Sequence, residues 1–431
     1  MKSICLVSFL VLVCLSCTLG KSEDFFPVVP LEGEDDFSFV DTFFEDEQLI
    51  LLGEASHGTA EFYTMRAGIS KRLIESGDIS FVAVEGDWVP LHRLNRFVRG
   101  KTDSSARDII ADFERWPQWM WANEEFLSFV KWLREYNESR PIQEHVGLYG
   151  VDVYGQWEAM DALQDFVDIH IPDKSDKVAE YVGCFAPYNR DERAYARAVF
   201  QQGASCASAM DSLVACVKKA RREAGKSDPA YFSAVQKARA IHGAERFFRL
   251  STKQGPESWN SRAKHFFSTT EQLRDFHGSE SRGIVWAHNT HVGDARATIM
   301  AQVGQVNIGS VARERLGDSA VRILGFATSE GEVIAGRQWG APWEEMTMPE
   351  PMEGSLENLF SQKEDSLFFL DFTHPISEES PLMSPINHRA VGVVYQPHNE
   401  QGNYVPSLVP HRYDGMIYIH RTTALTPLGS P

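Results

Sequence analysis

The chain has 431 residues, of which 43% are hydrophobic and 24% are charged, and these proportions exclude an intrinsically disordered protein. Its formal net charge is −18, and no Lys/Arg cluster is interleaved with aromatic residues, which excludes a nucleic-acid binder and a protein attracted to anionic membranes. Beyond residue 20, no stretch approaches the roughly 20 apolar residues that span a bilayer.

The first twenty residues are typical of a secretory signal peptide. Residues 1–20 contain one charge, Lys2, followed by an apolar stretch over residues 4–15 and then by small residues. The pattern predicts that the mature protein comprises residues 21–431, that it is secreted or periplasmic, and that it has no membrane contact after cleavage. A retained N-terminal anchor is the alternative.

Three cysteines follow the predicted signal, namely Cys184, Cys206 and Cys216. Because their number is odd, one thiol has to stay unpaired when a single disulfide forms. An oxidising compartment favours such a bridge, and the sequence leaves all three pairings open. Three widely spaced cysteines do not make a zinc cluster.

Strand-like and helix-like segments alternate along most of the chain. Segment 21–47 is acidic and aromatic, and we expect it to form an irregular arm on the surface. The strand-like runs are rich in β-branched and aromatic residues and occupy residues 48–52, 80–85, 146–151, 283–288, 320–326, 366–371, 390–395 and 415–420. This alternation predicts an α/β fold with a mostly parallel central sheet flanked by helices.

The pattern changes over residues 155–280, where apolar residues recur with the period of a helix. The clearest examples are residues 193–202, 207–223 and 231–249. We expect an inserted helical bundle between two sheet strands. Such a bundle either walls a substrate pocket or only covers one face of the sheet.

Acid and imidazole side chains follow three of the predicted strands. Glu54 and His57 come after the first strand, Glu85 ends the second, and His288 and His291 end or follow the fourth. In open α/β sheets the carboxyl ends of parallel strands face the crevice where ligands bind. We therefore expect two carboxylates and three imidazoles to lie close together.

Several catalytic motifs are absent from the sequence. It contains no G-x-S-x-G nucleophile elbow and no H-E-x-x-H zinc motif. It also contains neither a G-x-x-x-x-G-K-[ST] phosphate loop nor a G-x-G-x-x-G segment after a strand. A covalent serine hydrolase, a zincin, a P-loop NTPase and a dinucleotide-dependent oxidoreductase are therefore not expected.

The acid and histidine cluster instead indicates catalysis by activated water. A histidine with a pKa near the working pH can take a proton from water, and a neighbouring carboxylate can orient its ring. We interpret His57 as the general base and Glu54 or Glu85 as its partner. His288 and His291 would polarise the carbonyl or stabilise the oxyanion.

The same residues resemble the motifs of the erythromycin esterase family. The matching elements are Gly53-Glu54-x-x-His57-Gly58, Arg66 nine positions after His57, Glu85-Gly86-Asp87, and His288-x-x-His291. The resemblance covers roughly residues 45–425. It implies hydrolysis of a macrolide lactone or another carboxylic ester by water, without a covalent intermediate.

In terms of roles, the resemblance implies that Glu54 and Glu85 hold His57 or the attacking water. Arg66 would order the acid network, and His288 and His291 would complete the site. Enzymes of this family that cause antibiotic resistance by destroying erythromycin look cytoplasmic, whereas this chain carries a predicted export signal. The identity of its small-molecule ester therefore stays open.

Substrate-binding candidates lie next to these motifs. Asp152 ends a predicted strand, where a helix N-cap is the alternative role. Trp116 and Trp119 belong to an aromatic segment that would form either an apolar substrate wall or part of the core. We expect structural roles for the histidines of the C-terminal third, which are His374, His388, His398, His411 and His420.

Two other functions compete with a cofactor-free esterase. His57, Glu85 and His288 are residue types that ligate a divalent metal such as Zn²⁺ or Mn²⁺, so a metal-dependent esterase or protease-like hydrolase is one alternative. A non-catalytic secreted binding protein is the other. The sequence predicts no oligomeric state.

Overall fold

The computed structural model describes residues 26–77, 79–225, 227–278 and 280–430, so the predicted signal peptide at residues 1–20 lies outside the described residues. The strands are β1 (Val29–Pro30), β2 (Leu49–Leu52), β3 (Ile79–Val84), β4 (Gly147–Gly150), β5 (Arg282–Trp286), β6 (Val321–Gly336), β7 (Trp343–Met348), β8 (Leu367–Asp371), β9 (Ile386–Arg389), β10 (Tyr404–Ser407) and β11 (Gly415–Thr422).

Helices account for most of the remaining regular structure. They are α1 (Val40–Phe43), α2 (Ala60–Glu75), α3 (Trp88–Val98), α4 (Ala106–Ala111), α5 (Glu124–Glu138), α6 (Gln156–His170), α7 (Ser175–Val182), α8 (Glu192–Gln202), α9 (Ala207–Ala224), α10 (Pro229–Leu250), α11 (Glu257–His277), α12 (Asn289–Val292), α13 (Ile299–Gln302), α14 (Ile308–Leu316), α15 (Leu356–Phe360) and α16 (Val409–Arg412). Among the described residues, no helix is both long enough and apolar enough to cross a membrane.

The central sheet has nine strands and confirms the predicted α/β class. Six neighbouring strands run parallel in the order β11, β6, β2, β5, β3 and β4. Strands β8 and β1 continue the sheet beyond β11 in antiparallel fashion, and β7 pairs antiparallel with the second half of β6. Strands β9 and β10 form a separate two-stranded sheet.

Both faces of the parallel strands are covered, which explains their continuous apolar sequence. All four residues of β2 are buried. Leu49 and Leu51 belong to the hydrophobic core on one face, and Ile50 and Leu52 belong to the core on the other face. The alternation follows from the two-residue period of a strand.

The helical segment predicted between two strands is present. Helices α6 to α11 lie between β4 and β5, and α10 packs against α6, α9 and α11. Asp191 and Asp228 cap α8 and α10, because their carboxylates accept hydrogen bonds from free backbone N–H groups of the first turns. These caps place the helix starts within two residues of the predicted positions.

The strand predicted at residues 390–395 is wrong. The strand at this place is β9, which ends at Arg389, and the following residues form only isolated bridges. The backbone N–H of Val391 donates to the carbonyl of Ala55, in the loop after β2, at 2.8 Å. The apolar run at residues 390–395 therefore packs beside that loop instead of joining a ladder.

The acidic N-terminal arm is more deeply packed than predicted. Although it is mostly irregular, it contributes β1 to the edge of the sheet and the short helix α1. Phe39 stacks on Phe369 of β8 with 4.4 Å between ring centroids, and Phe43 contacts the same ring edge-on at 5.0 Å. Buried aromatic side chains thus attach the arm to the core.

A disulfide joins Cys184 to Cys206, and Cys216 carries a free thiol. The bridge spans 22 positions and encloses helix α8. It selects one of the three pairings that the sequence left open.

Removing this bridge with Cys184→Ala is expected to lower the free energy of unfolding by about 3 kcal/mol, since the cross-link restricts the unfolded chain. Urea denaturation under non-reducing conditions measures the loss. The matched control is Cys216→Ser, which is expected to change the free energy by less than about 1 kcal/mol. Equal losses in the two variants would contradict the assigned pairing.

Candidate active site

Four adjacent parallel strands deliver the candidate residues to one edge of the sheet. In sheet order, β2 leads to His57, β5 to His288, β3 to Glu85 and β4 to Asp152. Backbone hydrogen bonds continue past the strand ends, as shown by the N–H of Glu85, which donates to the carbonyl of Trp286 at 2.9 Å. The side chains converge because their strands are neighbours, as expected from the carboxyl-end rule.

Arg66, Glu54 and His57 are joined by a buried series of hydrogen bonds. The guanidinium of Arg66 in α2 donates to Oε2 of Glu54, and Oε1 of Glu54 accepts from Nδ1 of His57 at 2.7 Å. Arg66 is fully buried and lies against the rings of Tyr63 and Trp286, at 4.5 and 5.1 Å from their centroids. These hydrogen bonds fix the imidazole of His57 on its Nδ1 side.

The bond to Glu54 occupies Nδ1 of His57 and leaves Nε2 for the cavity that this residue lines. Burial by itself disfavours the protonated ring. The hydrogen bond to Glu54 and the negative charges of Glu85 and Glu54 outweigh that cost, and the pKa of His57 is raised above its usual value. His57 is therefore a stronger base than an ordinary histidine.

The two glycines of the Gly53-Glu54-x-x-His57-Gly58 motif are explained by close approach. A Cβ atom at Gly53 would lie 2.1 Å from Oδ1 of Asn289, and one at Gly58 would lie 1.9 Å from the carbonyl oxygen of Ile334. Any side chain at either position would push the loop after β2 away from its neighbours.

Glu85 accepts hydrogen bonds from two sides of the site. Its Oε2 accepts from the backbone N–H of His288 at 3.0 Å, and its Oε1 lies 2.8 Å from the guanidinium of Arg262 and 3.2 Å from Nε2 of His291. Burial opposes ionisation of this carboxyl. The surrounding positive charge of His291, His57 and Arg262 prevails and holds its pKa well below the usual value.

Arg262 is a central residue of the site that the sequence analysis missed. It projects from α11 and binds both oxygens of Asp152, at 2.9 and 2.6 Å, as well as Glu85. Its NH1 group also lies 3.1 Å from Nε2 of His291. No motif spacing connects Arg262 to the strand ends, so only the folded position of α11 identifies it.

His288 is held in the neutral form, in contrast to His57. Its Nδ1 accepts from the hydroxyl of Thr290 at 2.8 Å and from the backbone N–H of Thr290 at 3.2 Å, which places the ring proton on Nε2. Burial, together with the neighbouring charge of His57, lowers its pKa well below the usual value. The two rings lie 4.7 Å apart. Nε2 of His288 is buried and has no hydrogen-bond partner of standard geometry among the described residues, although the backbone carbonyl of Ala55 acts on the ring and favours its protonated form.

His291 packs deeper in the same group. Its ring stacks on Trp259 with 4.7 Å between centroids and an interplanar angle of 12°. Its Nε2 faces both Glu85 and Arg262. These contacts connect the histidine to the inserted helices, since Trp259 and Arg262 both belong to α11.

A cavity of about 410 Å³ opens in front of these residues. Its walls combine site residues with aromatic and aliphatic side chains, which include Met120, Trp121, Tyr154, Trp259, Met300, Trp339, Val393 and Val405. Trp339 remains 47% exposed at the cavity, which is unusual for so large an apolar side chain. The cavity therefore combines apolar and aromatic walls with the polar groups of the site.

The three predicted substrate-binding residues occupy three different kinds of position relative to the cavity. Asp152 lines the cavity but is engaged by Arg262. Trp116 stands behind the wall, since its ring packs against Trp339 at 4.7 Å and its Nε1 donates to the carbonyl of Ala341 at 2.8 Å. Trp119 is buried in the hydrophobic core and does not line the cavity.

A second ion pair borders the cavity. The guanidinium of Arg115 binds both oxygens of Asp87, which follows Glu85 in the predicted motif. Arg115 and Arg262 lie 4.9 and 5.1 Å from the ring centroid of Tyr154. Each of the two arginines that line the cavity is thus matched by a carboxylate.

The alternative metal ligands do not form a preorganised ligand set. Nδ1 of His57 is bound to Glu54, and both oxygens of Glu85 accept hydrogen bonds, one of them from the permanently charged Arg262. Within residues 26–430, apart from the undescribed positions 78, 226 and 279, no group of three or more His, Cys, Asp or Glu side chains is arranged to hold a metal ion.

The fold and the site together define an α/β protein with a buried acid and histidine centre at the carboxyl edge of its sheet. The erythromycin esterase family model matches residues 74–422, and the chain belongs to this family. The earlier resemblance is thereby confirmed. Membership supports a hydrolase of the ester or lactone type that acts on a small molecule.

Three solved structures share the fold over nearly the whole chain. A Bacillus cereus protein is 16% identical, with a TM-score of 0.78 and 93% of this chain and 96% of that chain covered. A succinoglycan biosynthesis protein is 19% identical, with a TM-score of 0.73 and coverages of 93% and 95%. A histidine-to-asparagine mutant of the erythromycin esterase EreC, in its open conformation, is 14% identical, with a TM-score of 0.67 and coverages of 90% and 94%.

The shared guanidinium of the site predicts a large effect of Arg262→Ala. The change leaves Glu85 and Asp152 buried without the cation that both bind, so the free energy of unfolding should fall by about 3–5 kcal/mol. Urea denaturation at neutral pH measures it. The control is Arg72→Ala, which removes an exposed pair with Asp41 and should leave the free energy of unfolding almost unchanged, because solvent screens exposed ion pairs. A loss no larger than that of the control would refute the buried network.

Proposed function

We propose that the protein hydrolyses a carboxylic ester or lactone with a water molecule activated by His57, without a covalent enzyme intermediate. The buried chain of Arg66, Glu54 and His57 ends at the cavity and leaves Nε2 of His57 as the nitrogen available there. Membership in the erythromycin esterase family is consistent with ester or lactone hydrolysis.

In the proposed reaction, Nε2 of His57 takes a proton from water as the water oxygen attacks the carbonyl carbon. Glu54 stabilises the resulting imidazolium, and Arg66 holds Glu54 in place. The tetrahedral intermediate then expels the alkoxide, which receives the proton from His57. Water is consumed, one acid and one alcohol are released, and the enzyme returns to its starting state.

His288 is the proposed donor to the oxyanion. Its Nδ1 is an acceptor and its lowered pKa keeps the ring neutral, so Nε2 carries a proton that can be donated to developing negative charge. The ring lies 4.7 Å from that of His57. We propose that both histidines serve one carbonyl group, which requires that the substrate reach Nε2 of His288, a buried atom in the unbound structure. His291 and Glu85 keep Arg262 beside the two rings.

We infer that the substrate is a neutral small molecule with an apolar part. The cavity has apolar and aromatic walls, and its two arginines are already paired with Asp87, Asp152 and Glu85. A charged substrate would have to displace one of these ion pairs. Trp339, which packs on Trp116, is the exposed aromatic surface that the part of the substrate projecting from the cavity would contact.

We further propose that catalysis requires no metal. Arg262 supplies the positive charge at Glu85 that a divalent ion would otherwise supply, and it lies 2.8 Å from that carboxylate. A cation bound at Glu85 would be repelled by the guanidinium at short range.

We also propose that the mature protein is secreted or periplasmic. The apolar stretch within residues 1–20 and the bond between Cys184 and Cys206 both favour an oxidising compartment outside the cytosol. Amino-terminal sequencing of the protein recovered from its native cells would reveal a start near residue 21. A start at residue 1 would contradict the proposal.

The central prediction concerns His57→Ala, which should abolish turnover while leaving thermal unfolding nearly unchanged. Mass spectrometry detects the addition of water to erythromycin and to a panel of simple and macrocyclic esters, for both proteins, with and without a chelator. Turnover that depends on His57 and resists the chelator supports the metal-free esterase. Loss of turnover with the chelator would indicate a metallohydrolase, and no turnover by the unmodified protein would favour a binding protein.

The raised pKa of His57 predicts a shape for the pH profile. Because the unprotonated ring is the base, kcat/KM should rise with pH and reach half its plateau above the ordinary histidine value of about 6.5. In Glu54→Gln the charge of Glu54 and its hydrogen bond as a carboxylate are lost while the burial of His57 remains, so the midpoint should move to lower pH even though Glu85 is retained. The plateau should also fall by about 10²–10⁴.

Initial rates between pH 5 and pH 9 test both parts of this prediction, with circular dichroism as the control for folding. A midpoint that does not move in Glu54→Gln would show that a group other than His57 titrates in the profile.

A further inference from the structure

A second carboxylate and imidazole pair lies behind the candidate site. Glu357 in α15 and His388 in β9 are both fully buried, and Oε1 of Glu357 lies 2.7 Å from Nδ1 of His388. The backbone N–H of Arg389 donates to the same carboxylate oxygen at 2.9 Å. The geometry repeats that of Glu54 and His57, although these residues lie about 300 positions further along the chain.

The other nitrogen of His388 contacts the turn that carries the site histidines. Nε2 lies 3.2 Å from Nδ2 of Asn289, whose side-chain amide can only donate from that atom. Nε2 is therefore an acceptor, and the ring proton resides on Nδ1 and is donated to Glu357. Burial lowers the pKa of His388, which keeps the ring neutral in this tautomer.

Asn289 links this pair to the site from several directions. It lies between His288 and His291, and its backbone N–H donates to the carbonyl of Glu54 at 2.9 Å. Its amide donates to the carbonyl of Phe326 at 2.7 Å, and its own carbonyl accepts from the buried Arg412 at 3.0 Å. Asn289 thus connects the turn between His288 and His291 to Glu54, to β6, to Arg412 and to His388.

A purely structural role does not require ionisable groups here, because well-packed apolar residues of similar volume can often replace a buried pair without loss of stability. The pair instead supplies one directed hydrogen-bond acceptor, Nε2 of His388, for the side-chain amide of Asn289 in the turn. We propose that Glu357 and His388 are positioning residues, which fix Asn289 and thereby the orientation of His288 and His291. This inference rests on the proposed function of the site.

The first test compares His388→Phe with the matched control His277→Phe. His277 is a half-buried histidine that contacts Tyr149 at 3.1 Å and precedes β5, at the opposite edge of the sheet from the site. In the His388 variant kcat should fall by at least about tenfold and up to about 10²-fold, with KM within about threefold. The control should retain kcat within about threefold.

A conservative variant separates positioning from packing. His388→Gln keeps a donor for Glu357 and an acceptor for Asn289, so it should recover kcat to within about threefold of the unmodified enzyme. Should His388→Phe fail to fold, Asn289→Ala decides, because it removes the amide and leaves the pair intact. A kcat within about threefold in folded His388→Phe or Asn289→Ala overturns the proposal, as does an equal loss in His277→Phe.

A readout independent of turnover is the ¹⁵N NMR signal of the His288 ring. In the unmodified protein the ring should be a single tautomer protonated at Nε2, and in His388→Phe this tautomer should be mixed with the other. Unchanged His288 signals in that variant overturn the positioning role. If the His288 signals differ between His388→Phe and the unmodified protein but the unmodified protein hydrolyses no ester, the proposed function alone is refuted.

Discussion

The site depends on the neutralisation of carboxylates that the fold buries at the end of its sheet. Glu54, Glu85 and Asp152 are almost completely removed from solvent, and a buried unpaired charge would cost several kcal/mol. Two arginines on separate helices provide the balance, Arg66 from α2 and Arg262 from α11. The pairing fixes where these helices can lie against the sheet, and hence where the cavity opens.

The same arrangement gives neighbouring histidines opposite properties. His57 faces Glu54 and Glu85, and its pKa is raised. His288 lies 4.7 Å away but accepts at Nδ1, is buried and faces His57 itself, and its pKa is lowered. Two groups of one chemical type whose environments push their pKa values apart are suited to separate tasks, and the proposed tasks are proton acceptance by His57 and hydrogen-bond donation by His288.

The inserted helices supply residues of the candidate site and also cover the sheet. The sequence left open whether residues 155–280 wall a pocket or only shield the sheet, and α11 lines the cavity with Trp259 and Arg262. Segments from the C-terminal third approach from elsewhere, since Val393 and Val405 line the cavity and His388 reaches Asn289. The site is thus assembled from most of the length of the chain.

Local pattern was sufficient for the parallel strands, the inserted helices and the group formed by Glu54, His57, Glu85, His288 and His291. Strands and helices have short periods, and residues that follow parallel strands share one edge of the sheet whatever the order of those strands. The tertiary structure alone decided that β2, β5, β3 and β4 are neighbours, that Cys184 pairs with Cys206, and that Trp119 belongs to the core. It alone also brought Arg262 to Glu85, 177 positions apart, because such contacts depend on how distant elements pack and leave no periodic trace in the sequence.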